Sequence, residues 1–151
     1  MKQLTVNKGQ GAGIREKQDI ENNFLNYLFY TIIFMIPNSK VYEKAYALAI
    51  KIIMLYKFLI EDKKEYILSK QLIRSGTSIG ANISEANGAI SDKDFSAKLS
   101  ISYKEALETK YWLNLLKDTN YIDLEKYNQL YNDTDEVCKM LYSAIKNTRN
   151  F

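Results

Sequence analysis

Histidine is absent from this 151-residue chain. With it go the commonest metal ligand and the usual neutral-pH base, which excludes Ser-His-Asp, Cys-His and histidine-zinc centres together. Cys138 is the single cysteine. It has no internal partner for a disulfide, and its setting among helix-forming residues fits a reduced, cytoplasmic protein. Pro37 is the one proline, and three of the six glycines precede it. Little after it interrupts long helices. Charge of one sign is also scarce, with a net charge of +3 overall and 17 basic against 15 acidic residues from Met35 onward. That balance permits nucleic-acid binding without demanding it, and no block of like charge makes a binding tail.

The first 38 residues differ from the rest. Residues 1–23 hold Gly9, Gly11 and Gly13, show no periodic apolar face, and are expected to be loosely ordered. The Gly-x-Gly-x-Gly run follows no strand and lacks the lysine of a phosphate loop. From Phe24 to Ile36 the chain is strongly apolar, but the run is shorter than the roughly 20 residues that span a bilayer. Its flank, Ile36-Pro37-Asn38-Ser39, makes a poor cleavage site for a signal peptide. Two readings stay open: a short apolar helix packed on the domain, or sequence translated upstream of a true start at Met35 instead of Met1. The organisation expected is an extension over 1–38 and one helical domain over 39–151, a size that buries a core without staples.

After Pro37 the apolar spacing becomes regular. Val41, Ala45, Leu48, Ile52, Leu55 and Leu59 alternate steps of four and three, with a second stripe of Tyr42, Tyr46, Ala49, Ile53, Tyr56 and Ile60 beside them. This predicts a helix from Val41 to Glu61 with a wide apolar face. A second helix is expected from Lys63, capped by Asp62, to Asn87, with Leu72, Gly76, Ile79, Ile83 and Ala86 in its core stripe and Gly88 closing it in a left-handed cap. Ser91 opens a third, with Asp92 and Asp94 in its first turn and a seam of Phe95, Leu99, Ser102, Ala106, Thr109, Leu113 and Leu116. Asp123 caps a fourth, whose seam is Tyr127, Leu130, Thr134, Val137, Leu141 and Ala144. Long helices with short connections predict an all-α, antiparallel up-down-up-down four-helix bundle.

The second of these helices has an unusual middle. Ser75-Gly76-Thr77-Ser78 and Gly80-Ala81 leave little bulk over more than a turn. Each interior glycine costs a helix about 1 kcal/mol relative to alanine. Close packing against a neighbouring helix must offset that.

On these residues the chain, from Val41 to Ile145, resembles the four-helix bundle protein family, also called the 23S rRNA intervening-sequence protein family. Gln71-Leu72, Arg74-Ser75, Ser78-Ile79, Ala81-Asn82-Ile83 and Glu85 fall on its Q-L-x-R-[SA]-x-x-S-I-x-x-N-I-x-E signature. Asp94-Phe95, Leu99-Ser100-Ile101-Ser102, Glu105-Ala106, Glu108-Thr109 and Tyr111-Trp112-Leu113 fit the family's pattern along the third helix. Two positions depart from it: Ile73, where the family often has a second basic residue, and Ala86, where it often has glycine. The resemblance implies a small bundle encoded in rRNA insertions or by stand-alone genes, related to the accessory variability proteins that work beside retroelement reverse transcriptases. It implies a homopentamer that binds RNA or DNA and another protein such as the polymerase, and it brings no catalytic residue and no cofactor.

Arg74, Ser78, Asn82 and Glu85 are spaced by four, four and three, on one helix face. They read as a structural polar strip that fixes register or caps a subunit contact, in preference to a phosphate-reading or acid-base set. Lys63, Lys64, Lys70, Arg74, Lys139, Lys146 and Arg149 are the nucleic-acid-binding candidates, effective if repeated around an oligomer. Tyr46, Ile53, Tyr56, Tyr111 and Trp112 are left over once the bundle core is filled, and are the expected oligomer interface. The function expected is a non-enzymatic oligomer that binds nucleic acid weakly and without sequence preference. A protein–protein scaffold with no nucleic-acid role is the alternative. No metal, cofactor or membrane is expected.

Overall fold

The structure, a computed structural model, describes residues 17–22 and 39–148. Among the described residues there are five helices and no strand. Residues 17–22 form a short exposed helix, α1, inside the stretch expected to be loosely ordered. Lys17, Gln18 and Glu21 are straight-chain residues that lose little rotamer freedom there. The glycine run at 9–13, the apolar run from Phe24 to Ile36, and Met35 lie outside the described residues. The four long helices are α2 (Lys40–Glu61), α3 (Leu68–Ala86), α4 (Asp92–Asp118) and α5 (Leu124–Thr148).

The apolar spacing of α2 works as expected. All six residues of its first stripe, Val41 to Leu59, are buried, and Ser39 caps the helix by accepting from the Tyr42 N–H at 3.4 Å. The entry to α3 is different. Asp62 is not the cap of α3 but the C-cap of α2, donating its N–H to Phe58 O at 2.9 Å. The chain reverses through Lys64, whose φ of 54° no helix accepts, so α3 begins at Leu68 and not at Lys63. Its first amides are satisfied by buried Glu65: one carboxylate oxygen accepts from Ile67 N at 2.9 Å and Leu68 N at 2.8 Å, the other from Ser69 N at 2.6 Å. Burial pushes this carboxyl up, but the N–H donors of Leu68, Ser69 and Ile67 together hold it below the ordinary glutamate value.

At the far end of α3 no left-handed cap forms. Gly88 does not have positive φ. Asn87 continues in right-handed geometry, and Gly88 N donates to Glu85 O and Ala89 N to Ala86 O, both at 3.0 Å. Such three-residue turns satisfy the last carbonyls, so the glycine's freedom is not needed. Ser91 then caps α4 by accepting from Asp94 N at 3.1 Å, and Asp123 caps α5 by accepting from Lys126 N at 2.7 Å.

Each of α2 to α5 packs on two others, in the circuit α2–α3–α4–α5–α2. The pairs that join neighbours run in opposite numerical order: Gly76 lies against Ile52 and Gly80 against Ala45, while Lys44 meets Glu136 and Lys51 meets Asp133, each at 2.7 Å. The predicted seams fill the core, except that Phe95 and Tyr127 at their ends are only half-buried. Ser69, Ser75, Ile122, Cys138 and Ile145 are buried as well, none of them assigned to a seam by periodicity.

The small-residue middle of α3 packs closely, as its composition implies. A Cβ at Gly76 would stand 2.9 Å from an Ile52 methyl, whereas one at Gly80 would meet Ala45 no closer than 3.8 Å. On the other side, Ser102 Oγ of α4 donates to Ile79 O at 2.9 Å, and the Ser75 and Thr109 hydroxyls share a hydrogen bond of 3.0 Å. Buried hydroxyls thus find partners, one a backbone carbonyl and one another hydroxyl, across the α3–α4 contact.

Candidate functional site

The polar strip divides into two pairs. Asn82 donates from Nδ2 to Ser78 O at 2.8 Å, one turn back on its own helix. Glu85 reaches out to Lys98 of α4 in an ion pair. Arg74 is exposed and lies in electrostatic range of Glu105 on α4, whose carboxyl is pushed up by burial and by Glu108 against the pull of Arg74. The strip therefore ties α3 to α4 through Glu85. It does not form one continuous hydrogen-bonded row.

The basic candidates are dispersed. Lys63 and Lys64 are exposed at the α2–α3 connection, where the Lys63 ammonium stands 5.6 Å from the centre of the Phe58 ring. Lys70 and Arg74 follow on α3, while Lys139 and Lys146 are on α5, which is not α3's neighbour in the circuit. Lys139 is also engaged, 2.7 Å from Asp135, which holds Lys110 of α4 at 2.6 Å from its other oxygen. Hydrogen bonds from Lys110 and Lys139 keep the Asp135 carboxyl below its ordinary value. Arg149 lies outside the described residues. One copy of the chain does not bring this set into a single patch.

The interface candidates occupy two helices that do not adjoin. On α2, Tyr46 is 59% and Ile53 36% exposed, with Tyr56 half-buried; on α4, Tyr111 is 55% exposed and Trp112 half-buried. Tyr111 and Trp112 meet edge-on with centres 4.9 Å apart, and the indole N–H donates to Glu108 at 2.9 Å. Two residues missed by the sequence reading, Ile50 and Met54, widen the exposed face of α2. The signal was present as an i, i+4 apolar pair next to Ile53.

Another feature was not read from the sequence. An open groove of about 500 Å³ runs between α4 and α5, lined by Tyr103, Lys104, Leu107, Tyr142, Ile145 and Lys146. Of these only Lys146 was singled out. Tyr103, Leu107, Tyr142 and Ile145 lie one position off the seams and Lys104 two, where periodicity alone gives no reason to notice them.

Cys138 is buried, and burial pushes its thiol up to about 11. It is a core side chain and a poor nucleophile at neutral pH. Among the described residues, no group of three or more cysteine, aspartate or glutamate side chains could hold a metal ion, and no helix is long and apolar enough to cross a membrane.

A fold all-helical over the described residues, with long helices joined through a seam of small and hydroxylated residues, is the class these features define. The chain belongs to the 23S rRNA-intervening sequence protein family, whose model matches residues 37–143, the family its Gln71–Glu85 segment resembles. The two departures from the signature are structural: Ile73 packs on the hydrophobic core, and Ala86 is buried at the end of α3. A solved structure from Bacteroides thetaiotaomicron VPI-5482, of a protein with unknown function from the S23 ribosomal protein family, is 53% identical, with a TM-score of 0.69 over 70% of this chain and 95% of that one. No curated protein matches the chain.

Proposed function

We propose that residues 39–151 form an antiparallel up-down-up-down four-helix bundle, that copies of it associate into a ring, and that the assembly binds RNA or DNA weakly as a non-enzymatic accessory protein of the cytoplasm. The opposite numerical order of the contacts between neighbouring helices supports the topology. The observation that carries the association is the exposed aromatic and aliphatic side chains on α2 and α4. Those helices lie across the circuit from each other. A contact joining one copy's α2 face to another's α4 face is heterologous, and repeated heterologous contacts close a ring or run on as a filament. A count of five rests on the family resemblance alone.

Nucleic-acid binding draws its support from lysines that a ring would multiply. Lys63, Lys64 and Lys70 are exposed and stand in no ion pair among the described residues. Affinity carried by released counterions falls steeply with salt. Fluorescence anisotropy with single-stranded RNA and duplex DNA is expected to show binding at low salt that weakens as salt rises. Absence of binding at low salt, or binding indifferent to salt, contradicts this reading.

The dispersal of the basic residues, with Lys139 engaged by Asp135, favours a second reading. In it the same exposed faces dock another protein, such as a reverse transcriptase, and nucleic acid plays no part. The anisotropy experiment separates the two.

A further inference from the structure

The groove between α4 and α5 is built by helical spacing. Tyr103 and Leu107 stand one turn apart on α4, Tyr142 and Lys146 one turn apart on α5, with Lys104 and Ile145 beside them. The Tyr103 and Tyr142 rings are tilted 45° to each other with centres 6.1 Å apart, which leaves no room for a ring between them. Tyr142 is nonetheless 57% exposed, an aromatic surface open to a planar partner.

The charged residues that line this groove have one sign. Lys104 and Lys146 are its charged lining residues, both exposed, and neither forms an ion pair among the described residues. Glu105, next in sequence to Lys104, feels Arg74 of α3 on the other side of α4. From Val137 to Thr148, α5 carries no acidic residue at all. Two ammonium groups, an exposed phenol ring and a volume in the range of pockets that hold a small organic molecule occur here together.

We infer that this groove binds single-stranded nucleic acid, with a base stacked on Tyr142 and the flanking phosphates on Lys104 and Lys146. The inference rests on the proposed nucleic-acid binding and gives it a place and a strand preference. Every base has a π face and every nucleotide a phosphate, so an aromatic platform beside free lysines binds single strands with little regard to sequence. Duplex is disfavoured because its bases are already stacked on one another. A docked peptide helix fits less well, since it needs a row of apolar sockets over successive turns. Here Leu107 and Ile145 are the two aliphatic lining residues, one on each helix.

The test is fluorescence anisotropy at low salt with a labelled uridine-rich single strand, a duplex RNA of equal length, and an abasic phosphodiester strand of equal length. The wild-type chain is expected to bind the uridine strand best. Tyr142→Ala is expected to weaken that binding about tenfold, with little change toward the abasic strand and with unchanged helicity by circular dichroism. Tyr142→Phe keeps the ring and is expected to bind as wild type. Changing both Lys104 and Lys146 to alanine is expected to weaken all three and to flatten the salt dependence. Binding that survives Tyr142→Ala, or equal affinity for the abasic strand, overturns the stacking site. If the wild type binds and only changes at Lys63, Lys64 and Lys70 abolish it, this groove is wrong while the broader reading stands. If an acidic helical peptide occupies the groove in place of nucleic acid, this groove is wrong, and if the wild type binds no nucleic acid at low salt, both readings fail.

Discussion

At the scale of single residues, Gly76 and Gly80 separate two effects that the sequence presents together. Both are interior helix glycines, and alanine at either position gains up to about 1 kcal/mol of helix propensity. At Gly80 the added methyl meets Ala45 at an ordinary distance, while at Gly76 it meets Ile52 at 2.9 Å and the branch carbon of Ile52 at 3.3 Å. That carbon is held by the backbone of α2, and overpacking of this kind costs about 1–3 kcal/mol. Gly80→Ala is therefore expected to raise the thermal midpoint and Gly76→Ala to lower it. Equal shifts in the two variants, read by circular dichroism melts, contradict the close approach of α3 to α2. The sequence showed that something small was required here, but which glycine mattered depends on the register of α2 against α3.

At the scale of elements, apolar spacing located α2 to α5 because one buried stripe per helix repeats every three or four residues. The α2–α3 connection was not legible in that way. Asp62 has the chemistry of a cap, yet Lys64 must adopt a left-handed backbone to reverse the chain, and this moves the capping role to Glu65. Glu65→Ala removes a carboxylate that accepts from three amides, and a lost cap costs about 1–2 kcal/mol. The folded-state pKa of Glu65 is depressed, so its contribution is fully present above the unfolded value of about 4.3 and fades as pH falls through the lower folded value. Denaturant melts of wild type and variant are expected to differ by that amount at pH 7 and to converge in acid. A difference that stays constant down to the lowest pH, or is absent at neutral pH, removes Glu65 from this role.

At the scale of the whole molecule, the candidate surfaces were legible only in part. Burial leaves a periodic trace in the sequence, and exposure leaves none. Tyr46, Ile53 and Tyr111 were found by subtraction from the core stripes, whereas Ile50, Met54 and the Tyr103–Tyr142 groove depend on which helices adjoin. The lysines show the same limit, since their positions on α3 and α5 are far apart in one copy of the chain. Association through the α2 and α4 faces is thus the central claim. Trp112→Ala is expected to weaken it more than Tyr131→Ala, because Tyr131 is engaged within the chain, 4.6 Å from the Lys110 ammonium and 5.2 Å from the Tyr127 ring. Equal effects place the interface on another face.

The most direct test is the mass in solution, measured by light scattering on the purified chain at micromolar concentration. The expected mass is a multiple of 17.5 kDa larger than two, since a heterologous contact between two different faces does not close in a pair. A mass of one chain contradicts association, and a mass of two contradicts the ring.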